Sequence, residues 1–521
     1  MFTRQRTIRT AVALACCVAA VAYGPAAGAQ LLEEILVTAQ KREESLQDVG
    51  ISVTAFSGDQ LRAIGATTTT DISQQVPSLQ LVTYTPAFTI FSLRGVSQAN
   101  FQDNLEAPVA VYLDGAYVAS MNAIGTRMFD MQRVEVLRGP QGTLFGRNTT
   151  GGLIHFVSRG ADEEEVNGYF EGSVADYDKY AIEGAVGGGV TDRFRARIAG
   201  RWEESDGYVE SVTPGIRDAH GASGYTLRGS LQYEFSDDFT GDLKLGYAKD
   251  DDVPSGAYTV RFATFDPDTG FGIPDQGGLT GNLEHASTLQ GGFDRETAYG
   301  TATLTWDAGD GVEFVAITHY LELEKNYLED AGGGFGFFPY NTIADFDEFS
   351  QELRLSGERD RTRWQVGAYY LDMRWDLSQS VAGALILGGT SDTQRLDTLS
   401  VIDSQNWSVF AQGEYDLTEA LTLIAGARGR RTTRRSRCAG SSRIRAKVCH
   451  PRRPSTSAAC RSPVSMKSIT VTMRHACSST GPSTTMCCST RRSTAASRAA
   501  TGRSIPSGPW LIRIFGMRKK C

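Results

Sequence analysis

The residues best placed to do chemistry cluster between Arg133 and Ser158. Arg133, Glu135 and Arg138 alternate with Val134, Val136 and Leu137, and Gly139, Gly142, Gly146, Gly151 and Gly152 follow. Glycine-rich runs cradle phosphates when they match GxxxxGK(S/T) or GxGxxG, and neither pattern is present. His155 has no second His, Cys or carboxylate at ligand spacing. It therefore reads as a strand position with a hydrogen-bonded ring, and no metal site is expected. No nucleophile, base and orienter occur as a set, so the sequence supports neither an enzyme nor a cofactor site. What the cluster offers is association: charges that can pair across packed surfaces, and glycines that let backbones approach closely. A second candidate lies upstream. Glu34, Ile35, Leu36, Val37 and Thr38 form a short β-prone run. A free extended segment of this kind can add as a strand to a partner's sheet edge.

The elements that must position these groups fall into two regions. From Lys41 to Leu61 a polar entry leads into alternating Ile51, Val53 and Ala55, then to a helix start at Ser57 or Asp59. Pro108 to Gly115 reads as a strand ending in an Asp-Gly turn. The Arg133–Arg138 strand enters a Gly-Pro-Gln-Gly turn, and a further strand runs through Leu153 to Ser158. This first region reads as a small α+β domain.

From Val166 onward, apolar residues alternate at period two. Phe194, Ala196, Ile198, Gly200 and Trp202 share one face of a strand, and Arg193, Arg195, Arg197 and Arg201 share the other. A soluble sandwich does not bury four arginines on one inner face. A barrel with a lipid-facing outside and a polar lumen requires that arrangement. Tyr225, Leu227, Leu231, Tyr233 and Phe235 repeat it, opposite Thr226, Arg228, Ser230, Gln232 and Glu234. Short turns are expected at Ser236–Asp238, Ala308–Gly311, Gly357–Arg361 and Asp416–Glu419. They alternate with long loops at Glu203–Ser223, Asp250–Glu296, Glu324–Asp347 and Asp376–Ser404. Within the third loop, Phe335, Phe337, Phe338 and Tyr340 are candidates for ligand contact. About eleven strands precede Arg428, half of the about 22 in plugged outer-membrane transporters.

Charge and cysteine divide the chain. Residues 30–427 hold all 60 acidic residues against 27 basic ones and contain no cysteine. From Arg428 to Cys521 there are 22 basic residues, no acidic ones and seven cysteines. A basic tail can bind nucleic acid, but an exported barrel meets none, so no nucleic-acid partner is expected. A shifted reading frame accounts for more. Moved back one base, Met486-Cys487 must yield valine and Cys488 must yield leucine. The stretch is then compatible with DDDVLLYASVNRGFKSGDG, which is acidic and alternating. At the other end, Arg4, Arg6 and Arg9 precede an apolar core from Ala11 to Ala22 and a small-residue site at Ala27–Ala29. That pattern reads as an export signal.

The string RVEVLRGPQGTLFGRNTTGG and the segments before it resemble the N-terminal part of TonB-dependent outer-membrane receptors. Gly50, Leu153 and His155 depart from the usual residues there. The resemblance implies an antiparallel all-β transmembrane barrel with an N-terminal α+β plug domain in its lumen. It divides the chain into a signal peptide (1–29), a TonB box and linker (30–44), a plug (45–160) and the N-terminal half of a barrel (161–428). The remainder (429–521) is expected to be an out-of-frame, disordered tail. Glu34–Thr38 becomes the TonB box, and Arg94, Glu135 and Arg138 are implied to sit where plug meets barrel wall. The resemblance further implies a monomer in the outer membrane. Its partners would be TonB with the ExbB/ExbD complex, membrane lipid, and a scarce ligand such as a ferric siderophore. Vitamins, plant-derived compounds or oligosaccharides are the rival ligands, a passive porin is the rival architecture, and a non-functional truncated product is the remaining alternative.

Overall fold

The computed structural model describes residues 36–255, 284–330, 339–382, 395–441 and 464–475, apart from positions 48, 86, 99–102, 124–126, 286, 288 and 420. The expected export signal, Glu34, Ile35, Phe335, Phe337 and Phe338 lie outside the described residues.

The first region opens with a two-residue hairpin of β1 (Leu36–Val37) and β2 (Glu44–Ser45). β3 (Ser52–Ser57) then runs into α1 (Gly58–Ala63). Ser57 caps that helix and Gln60 reaches back to the cap nitrogen, so both ends of a capping box are made. α2 (Thr69–Ser73), β4 (Leu79–Thr85), β5 (Phe88–Leu93) and β6 (Val96–Ser97) follow, the three strands forming a small sheet. β7 (Val109–Leu113), β8 (Ala116–Val118), β9 (Met131–Arg138) and β10 (Gly152–Ser158) complete the domain. Its main sheet has the order β3-β9-β10-β7-β8, with β10 and β7 parallel. Two glycines of the motif are fixed by geometry. Gly152 has φ +138°, and a Cβ there would lie 2.1 Å from the Leu137 carbonyl oxygen. Gly146 has φ +84°, and a Cβ there would meet the Arg428 guanidinium at 2.6 Å. No larger residue fits either place without a shift.

The second region is a meander. Its strands are β11 (Asn167–Ala175), β12 (Lys179–Thr191), β13 (Phe194–Ser205), β14 (Glu210–Ser211), β15 (Ala222–Ser236), β16 (Phe239–Val253), β17 (Glu284–His285) and β18 (Gly292–Gly309). They continue as β19 (Val312–Asp330), β20 (Pro339–Arg359), β21 (Thr362–Ala382), β22 (Arg395–Thr418), β23 (Leu421–Ser441) and β24 (Val464–His475). All but β14 and β17 join one twelve-stranded sheet in which each strand pairs antiparallel with the next. Among the described residues this sheet has two ends, β11 and β24.

The expected faces are the observed ones within the strands, but Arg193, expected to face inward, lies in the turn before β13 and is exposed, 3.7 Å from Asp237. Ile198 and Trp202 are exposed on the outside, at 61% and 40%, whereas Arg195, Arg197 and Arg201 are buried inside. Two further expectations need correction. The long loops are shorter than the alternation of apolar residues implied: β19 and β20 stay in register out to Asp330↔Pro339. Backbone pairing does not stop where the lipid-facing pattern stops, so strands extend past the apolar band. The barrel also continues beyond Arg428. β23 pairs along β22 as far as Asp397↔Ser441, and β24 adds to it. A long unpaired edge on β22 recruits whatever backbone follows, because ladder hydrogen bonds do not depend on side-chain identity.

Candidate coupling site

The described part of the β-prone run, Leu36 to Thr38, is folded back into the molecule. Leu36 stays half exposed while Val37 is fully buried. The Thr38 amide donates to Glu135 Oε1 at 2.9 Å, and its hydroxyl reaches the same oxygen at 3.0 Å. Arg133 Nε also donates to Glu135 Oε1, at 2.7 Å. The Thr38 hydroxyl lies 3.2 Å from His155 Nδ1. Burial pushes the Glu135 carboxyl up, but the hydrogen bonds of His155 and Arg133, with the Arg133 charge, hold it below the usual carboxylate range.

The turn that follows ties the segment to the opposite surface. The Lys41 amide donates to the Thr38 carbonyl at 2.9 Å. The Lys41 ammonium pairs with Glu352 on β20 and lies 5.4 Å from the ring centres of Phe145 and Phe410. Burial draws the Lys41 pKa down to about 8 against the pull of Glu352. Arg42 pairs with Glu414 on β22 at 2.7 Å, and Gln365 on β21 donates to the Gln40 carbonyl at 3.0 Å. Residues 38–42 are thus clamped between the N-terminal domain and the wall of the large sheet. Removing one partner of a buried pair such as Lys41–Glu352 costs about 3–5 kcal/mol, because the other charge is stranded.

The inward arginines also find partners. Arg197 donates to Asp130 at 2.9 Å. Arg127 lies 2.7 Å from both Glu203 and Asp250. Lys244 pairs with Asp114 at 2.9 Å, and Lys325 pairs with Asp103 at 2.6 Å. Arg428 donates to the Leu144 carbonyl at 2.8 Å, in the glycine-rich turn. At the long-loop end, the β4–β5 hairpin brings Phe88 against Tyr327 (ring centres 5.6 Å apart) and Tyr340 (6.4 Å). Tyr340 therefore packs on the domain's apex, and its hydroxyl accepts from Gln379 at 2.9 Å.

The described contacts of Glu135 and Arg138 lie within the N-terminal domain rather than at the wall. The described partners of Glu135 are Thr38, Arg133 and His155, and Arg138 bonds Thr54; all lie in the N-terminal domain. On β9 the Glu135 carboxylate is covered by Thr38 of the docked segment and by Arg133, so its charge is met there rather than at the wall. Arg94 sits in the β5–β6 turn with φ 56°, its guanidinium beside Gly139. The contacts across the interface come from Lys41, Arg42, Asp103, Asp114, Arg127 and Asp130, which the sequence reading did not single out. Inward alternation on β16, β19 and β20 could have named their wall partners, but not which charge each would meet. Among the described residues no group of three His, Cys, Asp or Glu side chains could hold a metal ion.

Comparison with known proteins agrees with this architecture. Residues 45–153 match the TonB-dependent Receptor Plug Domain, and residues 245–448 match the TonB dependent receptor-like β-barrel. The chain is 36% identical over 160 residues to the pesticin receptor of Yersinia pestis, covering 30% of this chain and 23% of that protein. It is 26% identical over 437 residues to the vitamin B12 transporter BtuB of Vibrio vulnificus (strain CMCP6), covering 80% and 66%. Among solved structures, the ferric yersiniabactin uptake receptor FyuA from Yersinia pestis superposes with a TM-score of 0.65 at 20% identity, covering 81% of this chain and 61% of that one. The siderophore receptor PiuA from Acinetobacter baumannii gives 0.62 at 17%, covering 82% and 62%. The chain thus spans less than two thirds of the length of each of these proteins.

Proposed function

Since the chain belongs to the TonB-dependent receptors, we propose that its fold serves TonB-energised uptake of a scarce ligand across the outer membrane. The observation that carries this reading is the clamped segment from Leu36 to Thr38. Its Thr38 amide is occupied by Glu135, so a partner strand can pair there only after the segment is released. Release also breaks the Lys41 and Arg42 pairs to the wall, which links a pull on the segment to the seating of the plug. TonB, driven with ExbB and ExbD by the inner-membrane proton gradient, supplies that pull. The receptor acts as a monomer, exported by the N-terminal signal, with its exposed apolar face in lipid.

The ligand class proposed is a ferric siderophore, taken up at the long-loop end. Support comes from the solved structures of similar fold, described as ferric yersiniabactin and siderophore receptors. The aromatic group of Phe88, Tyr327 and Tyr340 places plug apex and wall together there. Two measurements test the reading. A periplasmic TonB fragment should bind the purified protein, and Val37→Pro, which removes a strand donor, should abolish binding. Tryptophan fluorescence should respond to ferric siderophores; a response to cobalamin alone would replace the ligand class and leave the coupling intact.

A further inference from the structure

His155 stands between the coupling segment and a turn of the plug that packs against the barrel wall. The Gly115 amide donates to His155 Nε2 at 3.0 Å. A backbone N–H only donates, so Nε2 is the accepting nitrogen and the ring proton sits on Nδ1. Nδ1 faces the Thr38 hydroxyl at 3.2 Å, and that hydroxyl donates in turn to Glu135. The chain of donors thus runs in one direction, from Gly115 through the ring to Thr38 and Glu135.

Gly115 belongs to the β7–β8 turn, which is held on both sides. The Asp114 amide donates to the Phe156 carbonyl at 2.9 Å, and the Asp114 carboxylate accepts from the Ser158 amide at 2.8 Å and from Lys244 at 2.9 Å. A Cβ on Gly115 would touch Ile317 of β19 at 3.4 Å. His155, Phe156 and Ser158 are all on β10, so one strand carries both the contact to the segment and the contacts to the turn. Turn and segment border the same cavity of about 530 Å3, which Lys244, Thr301 and Thr303 line from the wall side.

We propose that His155 is the positioning residue that couples the Leu36–Thr38 segment to the β7–β8 turn, so that release of Thr38 loosens the turn from the wall beside this cavity. The inference rests on reading Leu36–Thr38 as the segment TonB pulls. While Thr38 is docked, its hydroxyl and Glu135 fix the ring plane, and the ring fixes the Gly115 amide. Once Thr38 leaves, Nδ1 keeps only the longer 3.7 Å approach to Glu135 Oε2, the ring is held less firmly about χ2, and the Gly115 amide opens to water.

The test is amide hydrogen exchange of the full chain in detergent, read at residues 114–118. Thr38→Val should raise exchange there by about tenfold. His155→Ala should raise it as much alone and remove any further effect of Thr38→Val, the non-additivity expected of one shared path. His155→Gln, whose amide keeps one acceptor and one donor, should restore both the protection and its response to Thr38→Val. If Thr38→Val leaves the turn protected, or acts equally with and without His155, the coupling does not exist. If His155→Gln fails to restore the response, the ring only fills space and the proposal falls. Binding of a TonB fragment, measured separately on the parent chain, reports whether the coupling-segment reading itself stands.

Discussion

At the scale of single residues, the network around Thr38 sets how firmly the coupling segment is held. Glu135→Gln keeps the shape but removes the charge that three groups share, and should loosen the segment by about 1–3 kcal/mol. A spin label at Leu36, half exposed in the docked state, should then report a mobile spectrum; an unchanged immobile spectrum would refute the role of Glu135. The same label should respond to acid. The folded Glu135 carboxyl lies below its ordinary 4.5. His155 and Arg133 stay in the plug when the segment leaves, so acid removes only the share carried by the two Thr38 hydrogen bonds. That share is present above pH 4.5 and lost as pH falls below it. The parent should show that transition and Glu135→Gln should lack it. Thr38 was legible in the sequence as part of a β-prone run. Glu135 was legible as a candidate, but its partner was not, because the partner lies 97 positions away and only the docking of the segment brings it near.

At the scale of elements, β13 offers the sharpest contrast between two faces of one strand. Ile198 is exposed to the outside and Arg197 is buried against Asp130. Ile198→Arg should cost about 2–4 kcal/mol if it lies at mid-bilayer, read as a drop in folding yield into lipid vesicles. Arg197→Ala should leave strand insertion alone and loosen the plug instead, since Asp130 is left buried and unpaired. A folding yield equally reduced by both would contradict the assignment of faces. Gly146→Val belongs to this scale as well. It combines φ +84° with a clash against Arg428, and should lower the melting temperature of the plug-to-wall contact without unfolding the sheet. Alternation made these faces readable from sequence. Strand ends were not readable, because β19 to β22 continue pairing beyond the residues that carry the apolar pattern.

At the scale of the whole molecule, the described sheet has twelve strands with β11 and β24 at its ends. Open edges are not tolerated in hydrocarbon, where unpaired backbone groups have no water to bond. The composition break at Arg428, with 22 basic and no acidic residues from there to Cys521, motivates a direct check. Resequencing across the codons around Arg428 should reveal one inserted or missing base whose correction restores an acidic, alternating barrel sequence. Confirmation of the frame as it stands would sink that reading and leave a transport role as a statement about ancestry. Arg428 itself fits the in-frame barrel, since its side chain bonds Ser408 of the neighbouring strand and the Leu144 carbonyl of the plug.

The sequence by itself determined the class of fold, the two regions and the two faces of the strands. Each of these is a local periodicity, written in neighbouring residues and enforced by lipid on one side and water on the other. Only the tertiary structure decided which charge meets which. Lys41 with Glu352, Arg127 with Asp250 and Asp114 with Lys244 join positions far apart in the chain. Nothing in their local sequence distinguishes them from solvated surface charges, because the pairing exists only once the plug is seated inside the wall.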